Sequence, residues 1–406
     1  SIDTRTGNDA KGMVAKGDAP SVSVSIAGFY CGSFATAENT ATSATVLKAQ
    51  NNTTQTLNIY QYLNTSAIAT GDSTKVSGAG VSAIAADSKD TSTMTLDIAG
   101  TNTITQNAII SAVHNSAIRS DLSGFALGLV FSGARLRIDS SLNSNTIANI
   151  GGDFNAASAT ISLNTTRDSV MSKSSGSGGF INVSNPEAKN SLTGTSVLTV
   201  KNINTDTSAG LNNWDISNKS TNTFNVTSSN GSGGFVNVAV DALELTFNTS
   251  TTTNIVDSNI NSDARVLFDV ENKGIVKDEA TGTGGGFVAI TVNNVENNYT
   301  SGAKLTITNT EMNVNELELK TLSDLRTKDE DYVNYAGAAK GFVAVNVLNL
   351  TNTLTQTSEI DLNNSRLYAA KDANIMAQTS SGFKQKIESN RRSEECRVGK
   401  ECRSRW

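Results

Sequence analysis

The chain has 406 residues, of which 37% are hydrophobic, 17% charged and 5% aromatic, and it carries a net charge of -6. One histidine, three cysteines and two prolines exclude a centre built on several histidines, a disulfide framework and Pro-rich linkers, and no run of about 18 apolar residues encodes a membrane-spanning helix. A charged fraction below the usual ~25% also speaks against charge-driven disorder, so the length implies two or three domains or one elongated array.

Residues 1–20 are polar and Gly-containing and read as the broken end of a preceding coil. From there a Gly-Phe pair followed by alternating small and branched residues recurs: GFYCGSFA from Gly28-Phe29, GFALGLVF from Gly124-Phe125, GFINVS from Gly179-Phe180 and GFVNVAV from Gly234-Phe235. The series continues as GFVAITV from Gly286-Phe287 and GFVAVNV from Gly341-Phe342, with a weaker copy at Gly80 and a last pair at Gly382-Phe383. These pairs are taken as structural repeat anchors. After each come stretches with apolar residues at i and i+2, such as Leu243, Leu245 and Phe247, separated by Asn, Asp, Ser and Gly. Period two is a strand signal, and the polar residues supply turns.

Strands without intervening helices predict an all-β fold, a right-handed parallel β-helix (β-solenoid) that is elongated, in which each coil buries its faces against its neighbours. With about 20 residues per coil, the chain would make roughly nineteen coils and a rod on the order of 90 Å long. Each ~50-residue superrepeat would then hold two to three coils. Residues 1–391 form one such solenoid fragment of about seven superrepeats. The charged segment Ser323–Lys340 reads as a solvated loop or short helix bulging from it.

Residues 392–406 depart abruptly, reading RSEECRVGKECRSRW, with five basic and three acidic residues and both Cys396 and Cys402. Removing them leaves -8 on residues 1–391. The pair of cysteines lacks the partners a metal site needs. The stretch resembles the conceptual translation of a sequencing adapter, differing only at position 396, and is read as a non-native tail on a fragment of a longer protein. Cys31 is then the one native cysteine and reads as a small buried residue.

Few residues invite a catalytic reading. Asp329, Glu330 and Asp331 are consecutive, so neighbours would face opposite sides of a strand. Asp139 follows Arg135 and Arg137 without an acid partner, no acidic pairs line up between repeats, and the lone His114 reads as a hydrogen-bonding residue. The runs SGSGGF, NGSGGF and TGTGGGF lack the Lys-Ser/Thr of a phosphate loop and the Asp of a repeat-toxin calcium loop. They read as tight corners needing positive φ. The expectation is therefore no enzyme, no catalytic or metal residues, no cofactor and no nucleic-acid partner.

The Gly-Phe-anchored strands and the NSRLYAAKDANIMA stretch resemble bacterial secreted repeat exoproteins, the filamentous haemagglutinin-like adhesins and leukotoxin-type filamentous adhesins. That resemblance implies a β-helical shaft, export through an outer-membrane transporter as in two-partner or autotransporter secretion, and a place outside or on the surface of a Gram-negative-type cell. It implies attachment to glycans or proteins of host or neighbouring cells. A carbohydrate-acting lyase or hydrolase on a β-helix, and a surface-layer-type array of β-sandwiches, are the alternatives.

Overall fold

A computed structural model of the chain describes residues 2–7, 13–25, 30–205, 213–328 and 333–393. Nearly all of them lie in one sheet of parallel strands, as the alternating pattern requires. A single strand runs from Tyr30 to Ile150, 121 residues. No straight strand has that length. The chain winds, and each winding bonds to the next, so the fold is a parallel β-solenoid.

The register fixes the size of a coil. Trp214 pairs with Val266, 52 residues on, and Val256 with Thr308; Ala159 pairs with Trp214 at 55, and Arg137 with Glu187 at 50. One superrepeat is therefore one coil, where coils of about 20 residues were expected. About seven coils of this kind stack to only about 35 Å, well short of the expected 90 Å rod. The chain is laid out broadly, with long arms such as 265–285 and 288–308 that each span roughly 70 Å if fully extended.

Two corners define each coil. At one, a residue in the left-handed region recurs once per coil: Gly100, Gly152, Asn202, Asp257, Asn309 and Asn364, with φ between 48° and 88°. Glycine and asparagine tolerate this region best. The asparagines also form a ladder, Asn364 Nδ2 donating to Asn309 Oδ1 at 2.8 Å and Asn309 Nδ2 to Asp257 Oδ1 at 3.2 Å. At the other corner the chain reverses through the Gly-Phe pairs. A few residues past the left-handed corner a bulge shifts the register, between Ser262 and Arg265 in one coil and between Ile104 and Asn107 in another.

Insertions account for the variable spacing. The offset between coils steps from 51 at Thr327–Val276 to 55 at Asn334–Glu279, which places four extra residues in the segment 328–333. The described parts of the charged stretch, 323–327 and 333–340, are strand, where a solvated loop or short helix was expected. Ser323, Leu325 and Tyr335 are fully buried. Asp329, Glu330 and Asp331 lie outside the described residues. At the C-terminal end, strand pairing runs on through Arg392 and Ser393, opposite Lys340 and Gly341. Cys396 and Cys402 also lie outside the described residues.

The interior is segmented. One apolar core lies near the left-handed corners, with Phe154, Trp214, Phe268 and Leu305 among its members. A second lies nearer the Gly-Phe corners and holds Phe224, Phe247, Tyr299 and Tyr335. Between them runs a buried polar belt, because parallel columns of Asn, Ser and Thr can satisfy one another across the coil. Asn272 Nδ2 donates to Thr249 O at 3.0 Å and lies 3.1 Å from Ser301 Oγ. Arg167 is fully buried in this belt. It donates to Ser144 O at 3.0 Å, Thr195 O at 2.9 Å and Asn222 Oδ1 at 3.0 Å. Burial alone draws its guanidinium down to about 9. Gly194 makes the room, since a Cβ there would meet Arg167 Nε at 2.3 Å.

Candidate functional site

The sequence-predicted residues fall into three places. His114 sits in the polar belt, fully buried, with Nδ1 2.9 Å from Thr146 Oγ1 and Nε2 3.0 Å from Ser92 Oγ. Burial, and then the nearby Arg167 charge, hold its imidazole down to about 3. It is a neutral interior residue closed off from substrate. Arg137 pairs with Asp139 at 3.4 Å on the surface, and Arg135 and Arg137 line a shallow groove of about 440 Å³ with Phe34 and Ile84. Among the described residues no group of three or more His, Cys, Asp or Glu could hold a metal ion, and no helix is long and apolar enough to cross a membrane.

The Gly-Phe pairs come together at one end of the coil, which we call the tip. Gly179 with Phe180, Gly234 with Phe235, Gly286 with Phe287 and Gly341 with Phe342 occupy equivalent positions on four successive coils. Gly124-Phe125 does not join them. Gly124 lies beside Ser175, and Gly128 is the residue under Gly179. Phe383 instead packs inward against Tyr299 at 5.2 Å. Gly28 and Phe29 lie outside the described residues.

The four phenylalanines form a ladder. Their ring centroids are 5.0, 4.9 and 5.0 Å apart with planes within 5° of parallel, the pitch of the coils themselves. Each of the four residues is about half exposed, from 47% to 55%. Phe235 and Phe287 have a parallel ring on both sides, and Phe180 and Phe342 end the described ladder.

The glycines of the three Gly-rich runs answer three different demands, and none is a positive φ. This corrects the expectation of positive φ at these runs. At the tip a Cβ would collide with the coil below: Gly234 with Gly179 O at 2.2 Å, Gly286 with Gly234 O at 2.0 Å, Gly341 with Gly286 O at 2.2 Å. Gly282 and Gly284 point inward, where a Cβ would strike Asn293 and Thr291. Gly231, Gly233 and Gly285 point outward into open space. A Cβ at Gly285 meets nothing within 4 Å, and at Gly231 and Gly233 nothing closer than 3.7 and 3.9 Å. Neither backbone nor packing requires them, while Thr283 and Lys340 stand in the same two columns on the coils beyond.

Past the tip the usual order of a half-buried strand is inverted. The column Ile181, Val236, Val288, Val343 and the column Val183, Val238, Ile290, Val345 face outward, and a third column holds Val240, Val292 and Val347. The inward positions between them are polar or small. Ser132 donates to Asn182, which donates to Asn237 at 2.7 Å, and Ala289, Ala339 and Ala344 make a small cluster. Sequence periodicity located these strands without saying which alternate residue is inside.

Farther along the same arm lies a groove of about 290 Å³ lined by Glu187, Lys189, Glu244 and Glu296. Lys189 Nζ binds Glu244 Oε2 at 2.7 Å. Glu244 and Glu296 are register partners on adjacent coils, so an acidic pair does align between repeats, contrary to the sequence expectation. Reading the chain at a 52-residue offset would have found it. No family model, no curated protein and no solved structure matches the chain.

Proposed function

We propose that the chain is a shaft segment of an exported bacterial adhesin-type exoprotein, similar to the filamentous haemagglutinin-like proteins. In this reading it displays a repetitive surface to glycans or proteins of another cell and holds no catalytic centre. The observation that carries the reading is the register of one repeat per coil. Each outward column returns at about 4.8 Å along the stack, so any contact made by one coil is offered again by the next, and weak contacts multiply. A chain poor in cysteine and proline suits passage through an outer-membrane transporter followed by coil-by-coil folding, with a destination outside or on the cell. The acidic net charge of -6 disfavours nucleic acid as the partner.

The carbohydrate-acting alternative gains one specific observation, the in-register Glu244 and Glu296 in the groove beside Lys189. Register partners on neighbouring coils have backbones about 4.8 Å apart, comparable to the ~5 Å carboxylate separation used in retaining glycoside hydrolysis. One experiment separates the two. The full chain is applied to a glycan array and, in parallel, incubated with acidic and neutral polysaccharides while reducing and unsaturated ends are counted. The shaft reading expects binding to surface glycans or cell-surface proteins without new ends. New ends that vanish in Glu244→Gln and Glu296→Gln would replace it with the enzyme reading.

A further inference from the structure

From the tip we infer that the apolar face is a self-association surface, and that its occupant is a second copy of this chain packed side by side. The inference stands independently of the shaft reading.

Three features of the face carry it. The first is extent. The four phenylalanines, each about half exposed, offer about 400 Å², and the aliphatic columns raise the total to about 1,000 Å². The largest apolar patch of an ordinary monomer covers about 300–600 Å², and one side of a stable interface needs about 800 Å². The second is the inversion. This stretch places Asn182 and Asn237 inside and Val183 and Val238 outside, so the aliphatic side chains contribute nothing to the interior of their own coil. The third is pitch. Rows repeat at the coil spacing, matched by the 4.9–5.0 Å ring spacing. A surface that is to meet every row at once must share that repeat, and another copy of the solenoid does. Two such faces meet as β-sheets pack in a sandwich, with side chains interdigitating about 10 Å between backbones.

Other occupants fit less well. The Val/Ile columns carry no charged side chain and no hydrogen-bonding group, so a glycan finds no polar partners in them. Phe235 and Phe287 are stacked on both faces, which leaves at most the end rings as a platform for a sugar. An anionic bilayer would meet Glu187, Glu244 and Glu296 along the same arm and be repelled.

Sedimentation equilibrium of the full chain from about 1 to 100 µM tests this. The expected result is a species of twice the 42.5 kDa chain mass. Val238→Lys with Ile290→Lys puts two cations side by side at the centre of the face, on register partners, and is expected to weaken association at least tenfold. Thr246→Lys, on the same arm but beyond the face, is expected to leave it unchanged. Far-UV circular dichroism checks the fold. If the double variant loses its β signature, Val345→Lys on the outer described coil, where the side chain is 40% exposed, is read instead. A wild-type chain that stays monomeric to 100 µM overturns the inference, as does association that the lysine variants leave untouched. Binding to phosphatidylcholine/phosphatidylserine vesicles by a monomeric wild type, abolished by the lysine variants, would assign the face to a lipid surface instead.

Discussion

The two corners of each coil reverse the same chain by opposite means. At the left-handed corner the backbone itself is unusual, and Asn202, Asp257, Asn309 and Asn364 hold φ near 50°. Large apolar side chains pack inward beside it. At the tip the described backbone is ordinary, but the coils lie so close that Gly234, Gly286 and Gly341 have no room for a Cβ. There the apolar side chains face out. A recurring small residue in a solenoid therefore has at least two physical meanings, and substitution tells them apart.

The sharpest contrast is between adjacent residues. Gly286→Ala drives a methyl to 2.0 Å from the Gly234 carbonyl oxygen and should cost about 3 kcal/mol by chemical denaturation, the upper range of overpacking. Gly285→Ala, one residue earlier and open to solvent, should change stability by less than about 0.5 kcal/mol. Equal effects at the two positions would dissolve the distinction.

The next effect in size comes from the interior behind the tip. Asp278 is fully buried; its Oδ2 accepts from the Tyr335 hydroxyl and from the Tyr299 hydroxyl at 3.1 Å. Burial pushes its carboxyl up to about 7, partly offset by those hydrogen bonds. The unfolded chain loses this proton near pH 4, whereas the folded chain keeps it until about 7. The stabilisation is therefore fully present below about pH 4 and is lost as pH rises through 7. Asp278→Asn should gain on the wild type steadily across that window. A constant difference in denaturation free energy between pH 4 and 8 would show that the carboxyl is charged throughout.

A smaller loss is expected at the left-handed corner. Asn309→Ala removes two ladder hydrogen bonds and places alanine at φ 49°, for a cost of about 1–2 kcal/mol. Asn309→Gly should recover the backbone part. At the tip the logic reverses, and Gly286→Asn should be worse than Gly286→Ala.

The comparison also explains what could be read from the sequence. The Gly-Phe spacing at 179, 234, 286 and 341 carried the true coil length. Period-two alternation, however, reports strand and not the distance to the next corner, so one coil was divided into several. Gly124 misleads because it lies four residues ahead of the corner, where Gly128 takes the place under Gly179. The glycine runs drew attention as turns, while the residues that do hold positive φ beyond Gly100 and Gly152 are Asn and Asp. Their 50- to 55-residue spacing is present in the sequence but hidden by the abundance of asparagine. Arg167 left no local signal, because its partners Ser144, Thr195 and Asn222 are 23 to 55 residues away.

The coil length itself is the claim on which the rest stands, and a cross-strand disulfide tests it directly. With Cys31, Cys396 and Cys402 replaced by serine, Thr246→Cys and Asn298→Cys occupy register partners, within the ~4.4–6.8 Å that a disulfide spans between Cα atoms. Thr246→Cys with Leu267→Cys places the second thiol 21 residues on, where a coil of about 20 residues would stack it. The account predicts rapid oxidation of the 246–298 pair and none of the 246–267 pair. Oxidation of the 246–267 pair alone would contradict it.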